Sequence, residues 1–293
     1  MDFSFTPDQQ LLKNSARQFL DVHCKPEFVR TMFDDPRGDS EALWKGMAQL
    51  GWLGLSLPEA AGGSGLGMVE TAILLEELGR AAYPGPYLPT FLVGHALMVA
   101  GTEAQKSRWL PAIANGTARG TVAFNERDLD WNLSRFKTKA RPKDGGYVLS
   151  GEKHFVAWPH VADLILVPAQ TPEGVTLFLL APAATKGCAV RMMTTMDLTN
   201  RVGRLVLKGA FLPADTVLGE PGQGAGLLDE LLRRGAAGAA AEMLGAARRC
   251  LDMAVGYAKV REQFGRPIGS FQAIRHKCAD MLLEVENAHS AAY

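Results

Sequence analysis

Residues Tyr257–Gln272 read Tyr-Ala-Lys-Val-Arg-Glu-Gln-Phe-Gly-Arg-Pro-Ile-Gly-Ser-Phe-Gln, and this stretch decides how the chain is interpreted. A long helix is predicted to arrive from about Gly226. It is predicted to end at Gly265 and Pro267, because glycine and proline both terminate helices. Ser270 is predicted to cap a second helix that keeps its period to the end of the sequence. The stretch is therefore predicted to be the corner of a helical hairpin.

This corner concentrates side chains that suit a charged, planar ligand. Arg261 and Arg266 flank Phe264, and Gln272 follows at the start of the next helix. A guanidinium, an aromatic ring and an amide together could hold such a ligand. The alternative is an ordinary hairpin corner with solvated arginines, and the spacing alone favours that alternative.

A resemblance to a known family changes this balance. It rests on a set of residues around the corner: Tyr257-Ala258, Arg261, Phe264-Gly265, Pro267-Ile268, Phe271-Gln272 and Ala279-Asp280-Met281. This pattern resembles the acyl-CoA dehydrogenase family, and the resemblance extends over the whole chain. It implies that the cofactor is FAD and that this corner reaches into the flavin site of a neighbouring subunit. The cofactor-binding residues that it implies are Arg261, Gln263, Phe264 and Gln272.

Composition limits the classes of protein that the chain can belong to. With 293 residues, 47% hydrophobic and 21% charged, it is predicted to be globular with two or three domains. Thirty-one basic residues balance thirty-one acidic ones, so no nucleic-acid partner is expected. The four cysteines form no CxxC motif, which favours a reducing, cytoplasmic location. The six histidines show no metal-ligand spacing, and no signal peptide or membrane span is predicted.

The apolar period is helical up to about Gly116, changes to two, and becomes helical again near Gly222. Thr6 and Pro7 open the first helix as a cap and a first-turn proline. The predicted class is α+β and multidomain. Its predicted domains are an N-terminal helical domain (1–115), a middle antiparallel β-barrel domain (116–222) and a C-terminal helical domain (223–293). The last is expected to hold only the first two helices of a four-helix bundle.

The resemblance also locates a flavin-facing loop and a strand that covers the flavin ring. In the family these segments read Thr-Glu-Pro-Gly-Ala-Gly-Ser-Asp and Trp-Ile-Thr. The matching residues here are Phe124–Trp131 and Phe155–Ala157. Only Glu126 keeps its place in the loop, whereas Leu149–Lys153 retains the family's turn into the covering strand.

The changes in these segments are predicted to weaken the binding of a flavin ring. The glycines that let the backbone approach the ring are absent, and Ala157 has no hydroxyl to donate. Three further side chains add bulk: Arg127, Leu129 and Trp131. The chain by itself is therefore predicted to hold FAD poorly.

No residue is predicted to act as the catalytic base. Oxidation of an acyl thioester at Cα–Cβ needs a carboxylate over Cα, while a hydride leaves Cβ for the flavin. One position that the family uses for this glutamate lies about seven helical turns before Arg261 and corresponds to Gly235. The neighbouring family arginine corresponds to Ala236, and the second family position lies in a helix expected to be missing here. Glu242 is interpreted as structural.

The predicted function is that of an acyl-CoA dehydrogenase-like subunit. It would oxidise an acyl-CoA thioester at the α,β-carbons with a flavin, as part of a homo- or hetero-oligomer and with an electron-transfer acceptor. The resemblance is to divergent small subunits of the family, such as that of pimeloyl-CoA dehydrogenase. The alternative is a degenerate or truncated, non-catalytic scaffold that keeps the fold without a flavin.

Overall fold

The computed structural model describes residues 4–293, which form an α+β protein with two compact units. The first unit is helical and contains the described residues up to Val29 together with Met68–Tyr83 and Ala236–Tyr293. The second contains Arg30–Gly67 and Pro84–Gly235, and it holds the large sheet. The helices are α1 (Pro7–His23), α2 (Pro26–Asp34), α3 (Glu41–Gln49), α4 (Met68–Arg80), α5 (Tyr87–Ala100), α6 (Glu103–Ala114), α7 (Gly224–Val260) and α8 (Gln272–Ala292).

In the helical unit, α1 and α4 are joined by buried ion pairs. Thr6 and Gln9 form a capping box at the start of α1, which confirms the predicted cap. Lys13 Nζ lies 2.8 Å from Glu76 Oε2. The guanidinium of Arg17 donates to both oxygens of Glu77. Both carboxylates are buried on α4, so each would be costly without its cation.

Helices α4 and α7 pack backbone to backbone at two glycines. A Cβ on Gly79 would lie 2.0 Å from the carbonyl oxygen of Glu242, and one on Gly245 would lie 1.8 Å from that of Glu76. Only glycine permits such an approach, because any side chain would overlap the opposite backbone. The small-residue run in α7 is thus a packing surface for α4 at this point.

The sheet of the second unit has eight strands. They are β1 (Gly120–Val122), β2 (Lys139–Lys143), β3 (Gly146–Ala157), β4 (Leu164–Thr171), β5 (Gly174–Leu180), β6 (Cys188–Met192), β7 (Val202–Pro213) and β8 (Val217–Leu218). Their order is β6-β7-β3-β2-β4-β5-β8, and β1 pairs with β4 in parallel. The outer strands β6 and β8 do not pair with each other, so the sheet is open and mixed. The predicted α+β class, with a central sheet between N-terminal and C-terminal helices along the chain, is confirmed, and the description of that sheet as an antiparallel β-barrel is loose because the sheet is not closed.

The reason for that error lies in how the strands are buried. Along β4, Leu164 and Leu166 belong to a core shared with helices α5 and α6. The alternate residues Ile165 and Val167 belong to a second core with Leu205 and other residues of β7. A strand buried on both faces gives a continuous apolar run whether its sheet is closed or curved, so sequence cannot distinguish the two.

The order of helical and strand segments is confirmed. Helix α6 ends at Ala114, β1 starts at Gly120, and helix resumes at Gly224. Helix α2 was not predicted.

The described residues carry no sign of a membrane or metal site. None of their helices combines the length and apolar character that a membrane span requires. Within residues 4–293, no group of histidine, cysteine and carboxylate side chains could hold a metal ion. All four cysteines are free thiols, and burial raises the pKa of Cys24 to about 12.

Candidate functional site

The first candidate region centres on an irregular part of strand β3 in the second unit. The pairing of β3 with β7 shifts register between Lys153 and Val156. Phe155 lies at this shift with a φ of 52°, an unusual value for an aromatic residue, and its ring is half exposed. The amide of His154 donates to the carbonyl of Asn125 at 2.8 Å, which joins the irregular segment to the loop that follows β1.

Ala157 offers no side-chain donor to a ligand. Its carbonyl oxygen accepts a hydrogen bond from the hydroxyl of Thr121 at 2.6 Å. The next residue, Trp158, is buried, and its amide donates to the carbonyl of Arg201. The strand that would cover a flavin ring is therefore bonded to its own unit and presents a methyl group where the family has a hydroxyl.

Glu126 is buried at the neck of the loop that follows β1. One oxygen of its carboxylate accepts from the amide of Lys137 at 2.6 Å. The other accepts from the amide of Thr138 at 2.8 Å and from Lys153 Nζ at 2.9 Å. Burial acts to raise the pKa of Glu126, but Lys153 and the donors at Thr138 outweigh it and hold that pKa below its usual value.

Lys153 is the cation of this buried pair, and 0% of its side chain is exposed. Its ammonium lies 4.0 Å from the centre of the Phe136 ring, in the geometry of a cation–π contact. Burial lowers the pKa of Lys153 to about 8, although Glu126 opposes this shift. Their pairing was not predicted. A lysine at an inward-facing position of a strand indicates a buried acidic partner, but the sequence does not show which acid that is.

Aromatic side chains fill the rest of the loop. The rings of Phe124 and Trp131 lie 5.7 Å apart, and those of Phe124 and Phe136 lie 6.0 Å apart, edge to face. Trp131 is 66% exposed, and Leu129 takes a φ of 52°. A cavity of about 490 Å³ beside the loop is lined mainly by charged side chains: Glu126, Asp128, Asp130, Arg135, Lys137 and Lys139.

The second candidate region is the corner between α7 and α8 in the helical unit. Helix α7 ends at Val260, and a hairpin follows in which β9 (Glu262–Gln263) pairs with β10 (Arg266–Pro267). Phe264 and Gly265 form its two-residue turn with φ values of 53° and 75°, as a type I′ turn requires. The predicted helix end at Gly265 and Pro267 is therefore wrong, because these residues form a hairpin turn and strand instead.

The predicted cap at Ser270 is also wrong. Helix α8 begins at Gln272, its cap position is Phe271, and no side chain caps it. The hydroxyl of Ser270 is buried and has no hydrogen-bond partner among the residues that the structure describes. A short 3₁₀ turn over Ile268–Ser270 moves the start of α8 past the position that the sequence indicated.

At the corner, the four side chains that the resemblance implies as cofactor-binding are exposed to solvent. Arg261, Gln263 and Gln272 are all exposed, and within the described residues none of the three forms a side-chain hydrogen bond or ion pair. Phe264 is 92% exposed and meets Phe271 edge to face at 6.1 Å. The guanidinium of Arg266 lies 4.3 Å above the same Phe271 ring, so this second arginine is occupied.

Helix α7 carries two carboxylates, Glu230 and Glu242, that could in principle act as bases. Glu230 lies 2.7 Å from His95 Nε2 and 3.1 Å from Arg234 Nε, and these neighbours lower its pKa. A carboxylate stabilised in this way is a weak base at neutral pH. Burial raises the pKa of Glu242 to about 7. A Cβ on Gly235 would meet only Leu92, at 3.4 Å, so this position has room for a side chain but carries none.

Comparison with known proteins agrees with this architecture. The family described as acyl-CoA dehydrogenase, N-terminal domain, matches residues 6–117, and the C-terminal domain of the same family matches residues 222–293. The mitochondrial isovaleryl-CoA dehydrogenase of Solanum tuberosum is 31% identical over 99% of this chain and 72% of that relative.

Solved structures give the same result. Butyryl-CoA dehydrogenase from Megasphaera elsdenii superposes with a TM-score of 0.92 at 30% identity, over 100% of this chain and 79% of that one. The ChsE4-ChsE5 complex from Mycobacterium tuberculosis matches with a TM-score of 0.90 at 32% identity, again over 100% and 79%. The chain belongs to the acyl-CoA dehydrogenase family, a family of flavoprotein oxidoreductases.

The residues of the two regions differ in how well they suit a flavin nucleotide. The corner suits its anionic part, because Arg261 is exposed and unpaired and a guanidinium binds phosphate oxygens with two parallel donors. The loop and covering strand do not suit its ring. There Ala157 lacks the donor, and the resemblance implies that Arg127, Leu129 and Trp131 stand where the family has smaller residues.

Proposed function

We propose that the chain is an acyl-CoA dehydrogenase-like subunit that works in an oligomer with another chain of the family. Its corner would bind the pyrophosphate and adenine end of an FAD whose ring lies in the other subunit. The bound FAD would supply the hydride acceptor for oxidation of an acyl-CoA at Cα–Cβ. The ChsE4-ChsE5 complex supports a pairing of two different family chains.

The observation that carries this proposal is the conformation of Phe264. An aromatic residue in a left-handed conformation is strained, and this ring is 92% exposed. Its edge contact with Phe271 is its only ring contact among the described residues. A residue that breaks a local rule without gaining burial indicates selection for binding, here beside the unpaired Arg261.

Each residue of the corner has a distinct role in this proposal. Arg261 would form a charge-assisted pair with the pyrophosphate, and the amide of Gln272 would bond to the adenine end. Gln263 lies on β9, and its main chain pairs with Arg266, so the hairpin fixes its direction. The acyl chain, the electron acceptor and a cytoplasmic location stay predictions, as does the likeness to the small subunit of pimeloyl-CoA dehydrogenase.

The test measures the flavin-to-protein ratio of the co-purified native complex. Loss of a charge-assisted pair should weaken flavin retention by about 1.5–3 kcal/mol, a factor of ten or more, in Arg261→Ala. Gln272→Ala should weaken it less, because it removes a neutral hydrogen bond. Lys259→Ala is the matched control, because Lys259 is an exposed cation near the end of α7 that precedes Arg261 by two residues. Equal ratios in all four complexes, each still assembled, would make the corner an ordinary hairpin.

A second candidate is a scaffold subunit that binds no flavin. The observation that favours it is the pair of changes at Gly235 and Ala157, which remove a base position and a hydroxyl. Under this candidate, Arg261→Ala leaves the flavin content of the complex unchanged while the complex stays intact. The same experiment therefore separates the two candidates.

A further inference from the structure

The buried pair of Glu126 and Lys153 stands out because neither the corner nor the missing base explains it. A buried ion pair is an expensive way to stabilise a fold, since apolar residues of similar volume do as well or better. Here the pair lies between a long loop and an irregular strand. Its position, rather than its contribution to stability, is therefore the feature to explain.

The pair closes the loop at its neck. Loop 127–136 lies between β1, which ends at Val122, and β2, which starts at Lys139. On the far side of its neck, the amides of Lys137 and Thr138 donate to the carboxylate of Glu126 on the near side. Lys153 anchors that carboxylate to β3. The ring of Phe136, at the end of the loop, covers the ammonium. Loop and strand are thus held together through a single buried group.

Lys153 also lies next to a run of backbone with strained φ values. Lys153 is the last residue before the register shift, and Phe155 and Trp158 beyond it both take a φ of 52°. Leu129 within the loop also has a φ of 52°. Such conformations persist only where surrounding contacts enforce them. The bond from the His154 amide to Asn125, adjacent to Glu126, is a direct link between the two strained segments.

We propose that Glu126 and Lys153 are positioning residues whose buried ion pair holds loop 127–136 closed against strand β3. The pair thereby fixes the exposed rings of Trp131 and Phe155. Phe155 is 45% exposed and Trp131 is 66% exposed, so both contribute to the outer surface of the closed loop and strand. The arrangement does not depend on a flavin or on acyl-CoA, and it is independent of the function proposed for the corner.

The experiment is millisecond-pulse hydrogen exchange on the purified full chain, followed for peptides covering residues 127–138 and 154–158. Lys153→Met should speed exchange in both peptides by roughly tenfold or more, with the rest of the sheet unchanged. Lys137→Met is the matched control, because it removes an exposed ion pair to Asp128 from the same loop. It should change exchange by less than about twofold.

A second variant keeps the outcome decisive. The double variant Glu126→Gln/Lys153→Met leaves no lone charge buried, so it tests the loop if Lys153→Met alone does not fold. It should also speed exchange in both peptides by roughly tenfold or more, with the rest of the sheet unchanged. Unchanged exchange in either folded variant would overturn the proposal.

Discussion

Glu242 lies in an environment that disfavours a charged carboxylate. It lies on α7 at the crossing with α4, and none of the described residues bonds to its carboxylate. Burial raises its pKa to about 7, so at neutral pH the group carries only part of its charge. It lies about two helical turns after Gly235, on the same side of the helix. Because its pKa is raised in the folded state, Glu242 makes the free energy of unfolding depend on pH, whether or not it has a chemical role.

Glu242→Gln is predicted to stabilise the chain in mild alkali and not in acid. A carboxyl whose folded pKa is raised above the unfolded value of 4.5 makes the folded state less stable as pH rises through about 7. A shift from 4.5 to about 7 corresponds to roughly 2–3 kcal/mol after allowance for residual solvation. Urea unfolding at pH 5 and pH 8.5 measures the difference. Glu284→Gln, at an exposed position on α8, is the control and should show none.

At the scale of the element, α7 contains glycines with opposite roles. A Cβ on Gly245 would overlap the backbone of α4, whereas a Cβ on Gly256 would meet nothing within 4 Å. Both residues are helical, so their intrinsic preference for alanine is the same. Only the packing of α4 distinguishes them.

Gly245→Ala is therefore predicted to destabilise the chain and Gly256→Ala to stabilise it. The first substitution should cost about 1–3 kcal/mol or more, because the two helices must move apart. The second should gain about 0.5–1 kcal/mol from the higher helix propensity of alanine. Thermal or urea unfolding of the two variants, each a single methyl addition to the same helix, gives the comparison. Equal destabilisation by both would contradict the close crossing of α4 and α7.

Elements with strong local signals were predictable from sequence, and elements set by tertiary contacts were not. Thr6 and Gln9 form a capping box where a helical apolar period begins, and the predicted first helix is confirmed. At the corner, Gly265 was predicted to end the helix because glycine terminates helices. The type I′ turn has no local signal there, because such a turn usually begins with asparagine, aspartate or glycine and Phe264 occupies that position. The partnership of Glu126 with Lys153 was missed because 27 residues separate them.

At the scale of the whole molecule, the family is fixed by the sequence and the fold, while the contribution of this chain to catalysis is a proposal. Family membership predicts a flavoprotein fold, which the matched structures share. The predicted domain boundaries at 115/116 and 222/223 stay predictions. By the resemblance, the corner keeps the family pattern, whereas Gly235 and Ala157 are predicted to stand where the family has the base and the hydroxyl over the ring. Such uneven retention is expected when one subunit serves a site that a second subunit completes.

The isolated chain is accordingly predicted neither to bind FAD stoichiometrically nor to oxidise acyl-CoA. The reason is local: Ala157 presents a methyl group, its carbonyl is already bonded to Thr121, and Gly235 supplies no base. The measurement is reconstitution of the 293-residue chain with FAD, followed by acyl-CoAs of several lengths and an artificial electron acceptor.

Gly235→Glu provides the positive comparison for that experiment. The position is helical, and a Cβ there makes only an ordinary contact with Leu92, so the substitution should fold. A carboxylate at this position should promote exchange of the acyl-CoA α-proton with deuterated solvent, a reaction that needs a base but no flavin. Exchange in the variant and none in the wild type would support the assignment of Gly235 as the vacant base position. Steady turnover by the unmodified chain would show that another residue in it acts as the base.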